Sequence, residues 1–190
     1  RGLLADYNQL AFLFKSVKSD KATALAAFLE EHGVPVFSPR SALFFKRDEV
    51  RLVIGAYVFM FPGLVERHLK WKEDAVLKEW DYYAECLALF VEALRADPEG
   101  TSELRRYCAG RAKTQSTLTE NTNYSFATLF YELLGFPLFS RFVDVDLSAG
   151  AAGVRPVYNM ALFSQLLARF EFLHNIIVLT PEGLTKDLRN

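Results

Sequence analysis

Two groups of side chains in this sequence have types and spacing suited to contacting phosphates. The first lies in FLFKSVKSDK, residues 12–21, where Phe14, Lys15, Lys18 and Lys21 gather as an apolar run gives way to a helix. A ring offers a π face to a base and an ammonium offers a point charge to a phosphate. Such a pair beyond the carboxyl end of a strand and beside a helix N-terminus suits nucleotide binding. The same residues also read as one buried ring and three solvated lysines. The second group is Arg105, Arg106, Arg111 and Lys113, with Tyr107 and Gln115 among them and a Ser/Thr/Asn-rich stretch running on to Ser125. Only Glu103 offsets their charge nearby. Guanidinium, ammonium and hydroxyl groups are what DNA phosphates meet in proteins, and each phosphate neutralised adds salt-dependent affinity. A solvated helix end and loop is the plainer reading of the same residues. A further cationic set, Arg40, Lys46, Arg47 and Arg51, stands beside Asp48 and Glu49 and is open to pairing with them or with DNA.

Several chemistries are not supported. No GxxxxGK[ST] phosphate loop occurs in the 190 residues, and no acidic pair follows a strand to hold Mg²⁺, so no catalytic residue is assigned and ATP hydrolysis by this chain alone is not expected. Cys86 and Cys108 form no CxxC pair, and His32, His68 and His174 complete no zinc pattern; we expect no metal and a reducing, cytoplasmic setting. Cys86 falls on an apolar helix without a matched His and reads as an inert core thiol. With 22 Lys+Arg against 23 Asp+Glu, no global field draws the chain to nucleic acid, so any such contact is local. The richest apolar run, Val50 to Phe61, is short and interrupted by Arg51, and no membrane span is expected. The chain begins without Met and ends within a helical pattern, from which a piece of a longer protein is expected.

The elements that must position these residues follow from periodicity. Leu10 to Val17 is an apolar run of the kind buried on both faces of a parallel sheet. A helix follows, with Asp20 as N-cap, Leu25, Phe28 and Leu29 on its apolar face and Gly33 at its end; Val34 to Phe37 reads as a second strand. This βαβ unit is not repeated. From Asp48 the pattern is helical, with Val50, Val53, Ile54, Tyr57, Val58 and Phe61 on one face and Pro62-Gly63 as a stop. A longer helix is expected from Ala75 to Ala96, closed by Asp97-Pro98-Glu99-Gly100; Trp71, Trp80, Tyr82 and Tyr83 read as core. Another begins near Ser125, ends at Gly135-Phe136-Pro137 and continues through Leu138 to Phe142. Asp146 to Pro156 reads as a loop, Asn159 as the N-cap of a helix carrying Leu162, Phe163, Leu166, Leu167, Phe170 and Leu173, and Thr180-Pro181-Glu182 as a further helix start.

Two linked motifs carry a family resemblance. Gly33-Val34-Pro35-Val36 is followed, after a fixed gap, by Phe44-Phe45-Lys46-Arg47-Asp48-Glu49-Val50. Residues 10–61 thereby resemble UvrD/Rep/PcrA-type superfamily 1 DNA helicases, where an apolar strand ending in an aromatic-Arg pair precedes a helix, a G-[IV]-P-[VY] strand and F-F-x-R-x-E-[VI]. ATLFYELLGFPLFSRFV, residues 127–143, also looks like a helix of that family's insertion. Beyond residue 61 the likeness is otherwise one of architecture.

The resemblance implies a fold that is mainly α with a small α/β part. Residues 1–40 would be a βαβ edge of the second RecA-like motor domain, and residues 41–190 an all-helical, 2B-like insertion. It implies that Phe14 stacks on adenine. Lys15 stands where the family has an Arg reaching the γ-phosphate, keeping the charge but losing the planar fork. Phe44 and Phe45 would anchor the exit from the motor, with Arg47 and Glu49 opening the insertion helix, so that this junction serves as a hinge. ATP and Mg²⁺ are implied for the complete protein and none for this piece. The implied partners are single-stranded DNA and duplex junctions, the remaining helicase domains, and repair or recombination proteins. Two alternatives stay open: a helicase-nuclease subunit of recombination type, and a helical protein-interaction module with no catalytic role.

Overall fold

The segment DEVRLVIGAYVFM has one acidic turn and then almost only apolar or small residues, so a helix made from it has no face to turn to water and must be surrounded. The computed structural model describes residues 12–16, 19–32, 34, 36, 44–63, 74–116, 120–144 and 151–180, and in it this segment is the central rod of a helical body. The elements are α1 (Asp20–Glu31), a 3-10 turn (Phe44–Lys46), α2 (Asp48–Met60), α3 (Asp74–Ala96), α4 (Ser102–Ser116), α5 (Phe126–Leu134), the single turn α6 (Pro137–Ser140) and α7 (Ala151–Leu173). Helix α2 packs along α3 and also touches α4 and α7, while α5 packs on α6 and α7. The described residues are mainly helical and contain no strand.

Aromatic rings fill the space between the rods. Phe90 of α3 meets Phe59 of α2 edge-on at 5.8 Å and stacks with Phe139 of α6 at 6.3 Å, while Phe130 of α5 meets Phe163 of α7 at 5.6 Å. Such pairs add about 0.5–1.5 kcal/mol each beyond the area they bury. Phe44, Val50, Val53, Met60, Leu104 and Met160 complete the same cluster.

Helix ends are tied by side chains from neighbouring elements. Ser125 caps α5 in a reciprocal box with Thr128, each taking the other's backbone N–H at 3.4 Å. Glu171 of α7 accepts the Ala127 N–H at 2.7 Å, placing a carboxylate at the positive end of α5. Tyr57 of α2 donates to the Phe126 carbonyl at 2.5 Å, and burial, followed by the nearby Glu171 carboxylate, raises its phenol well above the ordinary value. The chain after α7 returns to the segment before α5, where Thr122 N–H meets the Leu179 carbonyl at 2.9 Å and Leu179 N–H meets the Tyr124 carbonyl at 2.8 Å.

Several expectations are corrected. Residues 12–16, read as part of a strand buried on both faces, are irregular and exposed, with Leu13 98% and Phe12 55% accessible. A strand exists only where neighbouring strands take its N–H and C=O groups, and the Ser16 carbonyl instead accepts the Ser19 N–H at 3.2 Å in the turn into α1. The N-cap of α1 is Ser19, whose hydroxyl accepts the Ala22 N–H at 3.3 Å, rather than Asp20. On that helix Ala22 and Ala26 are buried with Leu25 and Leu29 partly buried beside them, whereas Phe28, expected on the same face, is 54% exposed. Ala151 to Pro156, read as loop, form the first turns of α7: the alanines favour helix, and Asn159 and Met160 fix the next turn in the core. Asn159 is therefore inside a helix rather than at its cap, and its buried amide donates to Glu49 Oε1 at 2.6 Å. Expected features at Gly33, Pro35, Pro39, Arg40, Trp71 and Pro181-Glu182, and the side chain of Trp80, lie outside the described residues.

Helices α2 and α3 approach backbone to backbone at Gly55. A Cβ on Gly55 would lie 2.2 Å from the Cys86 carbonyl oxygen and 2.8 Å from Phe90 Cβ, so only glycine lets the two backbones meet here. Alanine is the better helix former by roughly 0.5–1 kcal/mol, yet Gly55→Ala must push α2 off α3. The expected result is a net loss of about 1–3 kcal/mol of stability, as for other overpacked cores, seen as a lower urea midpoint.

Candidate nucleic-acid interface

Helix α4, SELRRYCAGRAKTQS, buries only Leu104 and Cys108 and turns the rest outward or toward its neighbours. It leaves α3 through a tight turn in which the Gly100 N–H meets Asp97 Oδ1 at 2.9 Å and the buried Thr101 hydroxyl donates to the Leu94 carbonyl at 3.1 Å. This turn sets the direction of the helix that carries the four cations singled out in the sequence.

The four do not form one open patch. Arg105 reaches back and donates to the Leu94 carbonyl at 3.2 Å, sharing with Thr101 this acceptor at the end of α3. Arg111 is drawn inward, where its Nη2 meets Glu132 Oε2 of α5 at 2.9 Å and its guanidinium lies 4.3 Å from the Tyr124 ring centre and 5.2 Å from that of Tyr107. The Tyr107 hydroxyl donates to the same Glu132 oxygen, and Gln115 Nε2 donates to the Tyr124 hydroxyl at 2.7 Å. Arg111 is therefore a tie between α4, α5 and the segment before α5. Arg106 and Lys113 remain exposed, and Arg106 has no ion pair among the described residues.

Between these groups lies a shallow open basin of about 500 Å³, lined by Glu103, Arg106, Tyr107, Gly110, Arg111, Thr114 and Phe136. It brings together two arginines, the acid Glu103, the Thr114 hydroxyl and the rings of Tyr107 and Phe136. The sequence reading missed Glu132, Tyr124 and Phe136, which join the site only through folding. Gly110 carried a local signal, a glycine within a polar helix.

The other candidates lie elsewhere. Phe14 is 38% exposed and Lys15 is exposed beside it on the irregular segment, with no ring or hydrogen-bond contact to α4 among the described residues. Phe44 is buried in the helical core, whereas Phe45 is 42% exposed and its carbonyl accepts the Tyr82 hydroxyl at 2.8 Å. Arg47 is the N-cap of α2 without a side-chain cap bond, and Glu49 is buried against Asn159. Arg51 pairs with Glu85 at 3.4 Å and Asp48 at 3.7 Å, and Lys46 is exposed. Among the described residues no group of three or more His, Cys, Asp or Glu is placed to hold a metal, and no helix is long and apolar enough to cross a membrane. Burial pushes the Cys108 thiol up to about 12 and raises that of Cys86 despite its bonds to Tyr82 and Arg51, so both are protonated and unreactive at neutral pH.

Comparisons with protein-family models, curated protein sequences and solved structures give no match to this chain. The site therefore rests on its own geometry.

Burial first, and then its bond to Glu132, raises the Tyr107 phenol above its ordinary value of 10.0, with Arg111 opposing. The unfolded chain loses this proton first as pH climbs. The stabilising contribution is thus complete below about pH 10 and is lost as pH rises toward the folded value. Tyr107→Phe is expected to cost about 1 kcal/mol at neutral pH through the lost hydrogen bond. It should also flatten part of the fall in urea midpoint between about pH 9 and about pH 11, to which the likewise raised Tyr57, Tyr82, Cys86 and Cys108 also contribute.

Proposed function

We propose that this chain is part of an ATP-dependent DNA helicase of the UvrD/Rep/PcrA type, translocating 3′ to 5′, with the helical body serving as an insertion that contacts duplex DNA ahead of the motor. The observation that carries this reading is the pair of linked motifs, Gly33-Val34-Pro35-Val36 and Phe44-Phe45-Lys46-Arg47-Asp48-Glu49-Val50, in family order and spacing. The predominantly helical architecture after residue 44 is compatible with an all-helical insertion. Residues 1–40 would then belong to the edge of a RecA-like motor domain, whose sheet supplies the neighbours that residues 12–16 require.

On this reading Phe14 and Lys15 present a ring and an ammonium to ATP from one exposed segment, suiting base stacking and charge contact. The phosphate loop and the Mg²⁺ ligands come from the rest of the protein, since these 190 residues hold no GxxxxGK[ST] sequence. Phe44, locked in the helical core, and Phe45, partly exposed beside it, mark the hinge: one ring belongs to the insertion and the other is free to meet the motor. Arg47 and Glu49 open α2 behind them.

The deciding assay is ATP hydrolysis by the complete gene product with and without single-stranded DNA. Stimulation by DNA, together with a phosphate-loop sequence preceding these residues, is the expected result, and Phe14→Ala should then raise the KM for ATP. A complete protein with no phosphate loop and no DNA-dependent turnover would remove the helicase reading and leave a helical interaction module.

A further inference from the structure

The outward face of α4 has a feature that packing does not explain. Gly110 lies in the helix interior, where glycine is a poorer choice than alanine because its backbone loses more freedom on folding. A Cβ built on Gly110 would meet nothing within 4 Å, in contrast to Gly55, and its φ is not positive. Nothing within the described chain needs the missing side chain. Its effect is to leave bare helix backbone as part of the basin lining, with Arg106 one turn before it, Thr114 one turn after it, and the rings of Tyr107 and Phe136 among the neighbouring walls. The Thr114 hydroxyl is turned back onto the Gly110 carbonyl at 3.1 Å.

We propose that this basin seats one deoxyribose-phosphate unit of a DNA backbone, the sugar lying over Gly110 and a flanking phosphate meeting Arg106. The proposal rests on the reading of the helical body as a DNA-contacting insertion and assigns the contact point. Charge favours a polyanion: α4 carries four cations against one acid, whereas the whole chain has a formal charge of −1. Of the four, Arg106 lines the basin without an ion pair among the described residues, while Arg111 is tied to Glu132 and the exposed Arg105 donates to the Leu94 carbonyl. A sugar ring is compact, uncharged and partly apolar, which suits a floor without a side chain beside two aromatic residues. An acidic peptide would reach Arg106 on flexible stems without entering the basin, and Gly110 would have no role.

The test is fluorescence anisotropy of this chain with a labelled duplex of about 20 base pairs bearing a single-stranded tail, over a salt series, with thermal melting of each variant. Gly110→Ala is expected to melt at higher temperature than the parent, showing that the glycine is not needed for folding. Gly110→Leu, which fills the floor, should weaken duplex binding about tenfold or more while remaining folded. Arg106→Gln should weaken it several-fold and reduce the salt slope by about one phosphate's contribution. Duplex binding that is unaltered by Gly110→Leu and Arg106→Gln would overturn the basin while leaving a DNA-contacting insertion standing. Absence of duplex binding by the parent even at low salt would overturn both. Displacement of the duplex by polyglutamate as readily as by unlabelled DNA would overturn the proposal in favour of an acidic peptide.

Discussion

The backbone contact between α2 and α3 at Gly55 is the constraint on which the rest of the helical body depends. A helix as apolar as α2 is stable only when enclosed, and the approach at Gly55 brings the Phe90 side of α3 close enough to enclose one flank. Phe90 then carries the packing onward to Phe139 of α6, and the turn at the end of α3 launches α4 across the body. The direction of the basic helix is set by that turn, at the end of a helix seated on α2 at Gly55. The opposite end of α2 is held differently, by a buried hydrogen bond from Asn159 to Glu49. Removing either partner would leave a buried polar group unsatisfied, a penalty of about 1–3 kcal/mol.

Folding also sorts the cations of α4 into two kinds. Arg105 and Arg111 spend their donors on the Leu94 carbonyl and on Glu132, which makes them struts of the fold. Arg106 and Lys113 are exposed, as is Arg105 around its one bond, and they set the character of the surface. The distinction matters for mutagenesis, because losing Arg111 loosens α4 from α5, whereas losing Arg106 alters only what the surface can attract. Exposed ion pairs contribute little by themselves, about 0–1 kcal/mol. The Arg111 node gains its weight from combining an ion pair, two ring faces and the Tyr107 bond in one half-buried place.

Helices α2, α3 and α5 were legible in the sequence because their apolar residues recur at helical spacing and their ends carry local signals, Asp97-Pro98-Glu99-Gly100 after α3 and Ser125 before α5. The first turns of α7 were not, since Gly150, Gly153 and Pro156 signal a loop locally and only the burial of Asn159 and Met160 overrides them. The apolar run before α1 looks like a buried strand, yet its described residues lie exposed, because strand formation is a property of neighbours as much as of the segment. The basic cluster was visible as composition. Its division into struts and surface was not, because Arg111 finds Glu132 twenty-one residues away and Glu49 finds Asn159 at a separation of 110. Gly110 marks the candidate site more sharply than the cations do, since a glycine without a packing reason in a helix is rarer than a surface arginine.

The junction before α2 joins the structural and functional accounts, since Phe44 is part of the core that α2 organises while Phe45 is left partly exposed beside it. Native-state hydrogen exchange of the whole chain tests most directly whether α2 organises the body. The amides of Val50 to Val58 should be the slowest to exchange and should open only with global unfolding, with α1, which contributes nothing to the core cluster, exchanging earlier. Exchange of α2 by local opening, at rates like those of α1, would contradict the account and place the stable centre of the molecule elsewhere.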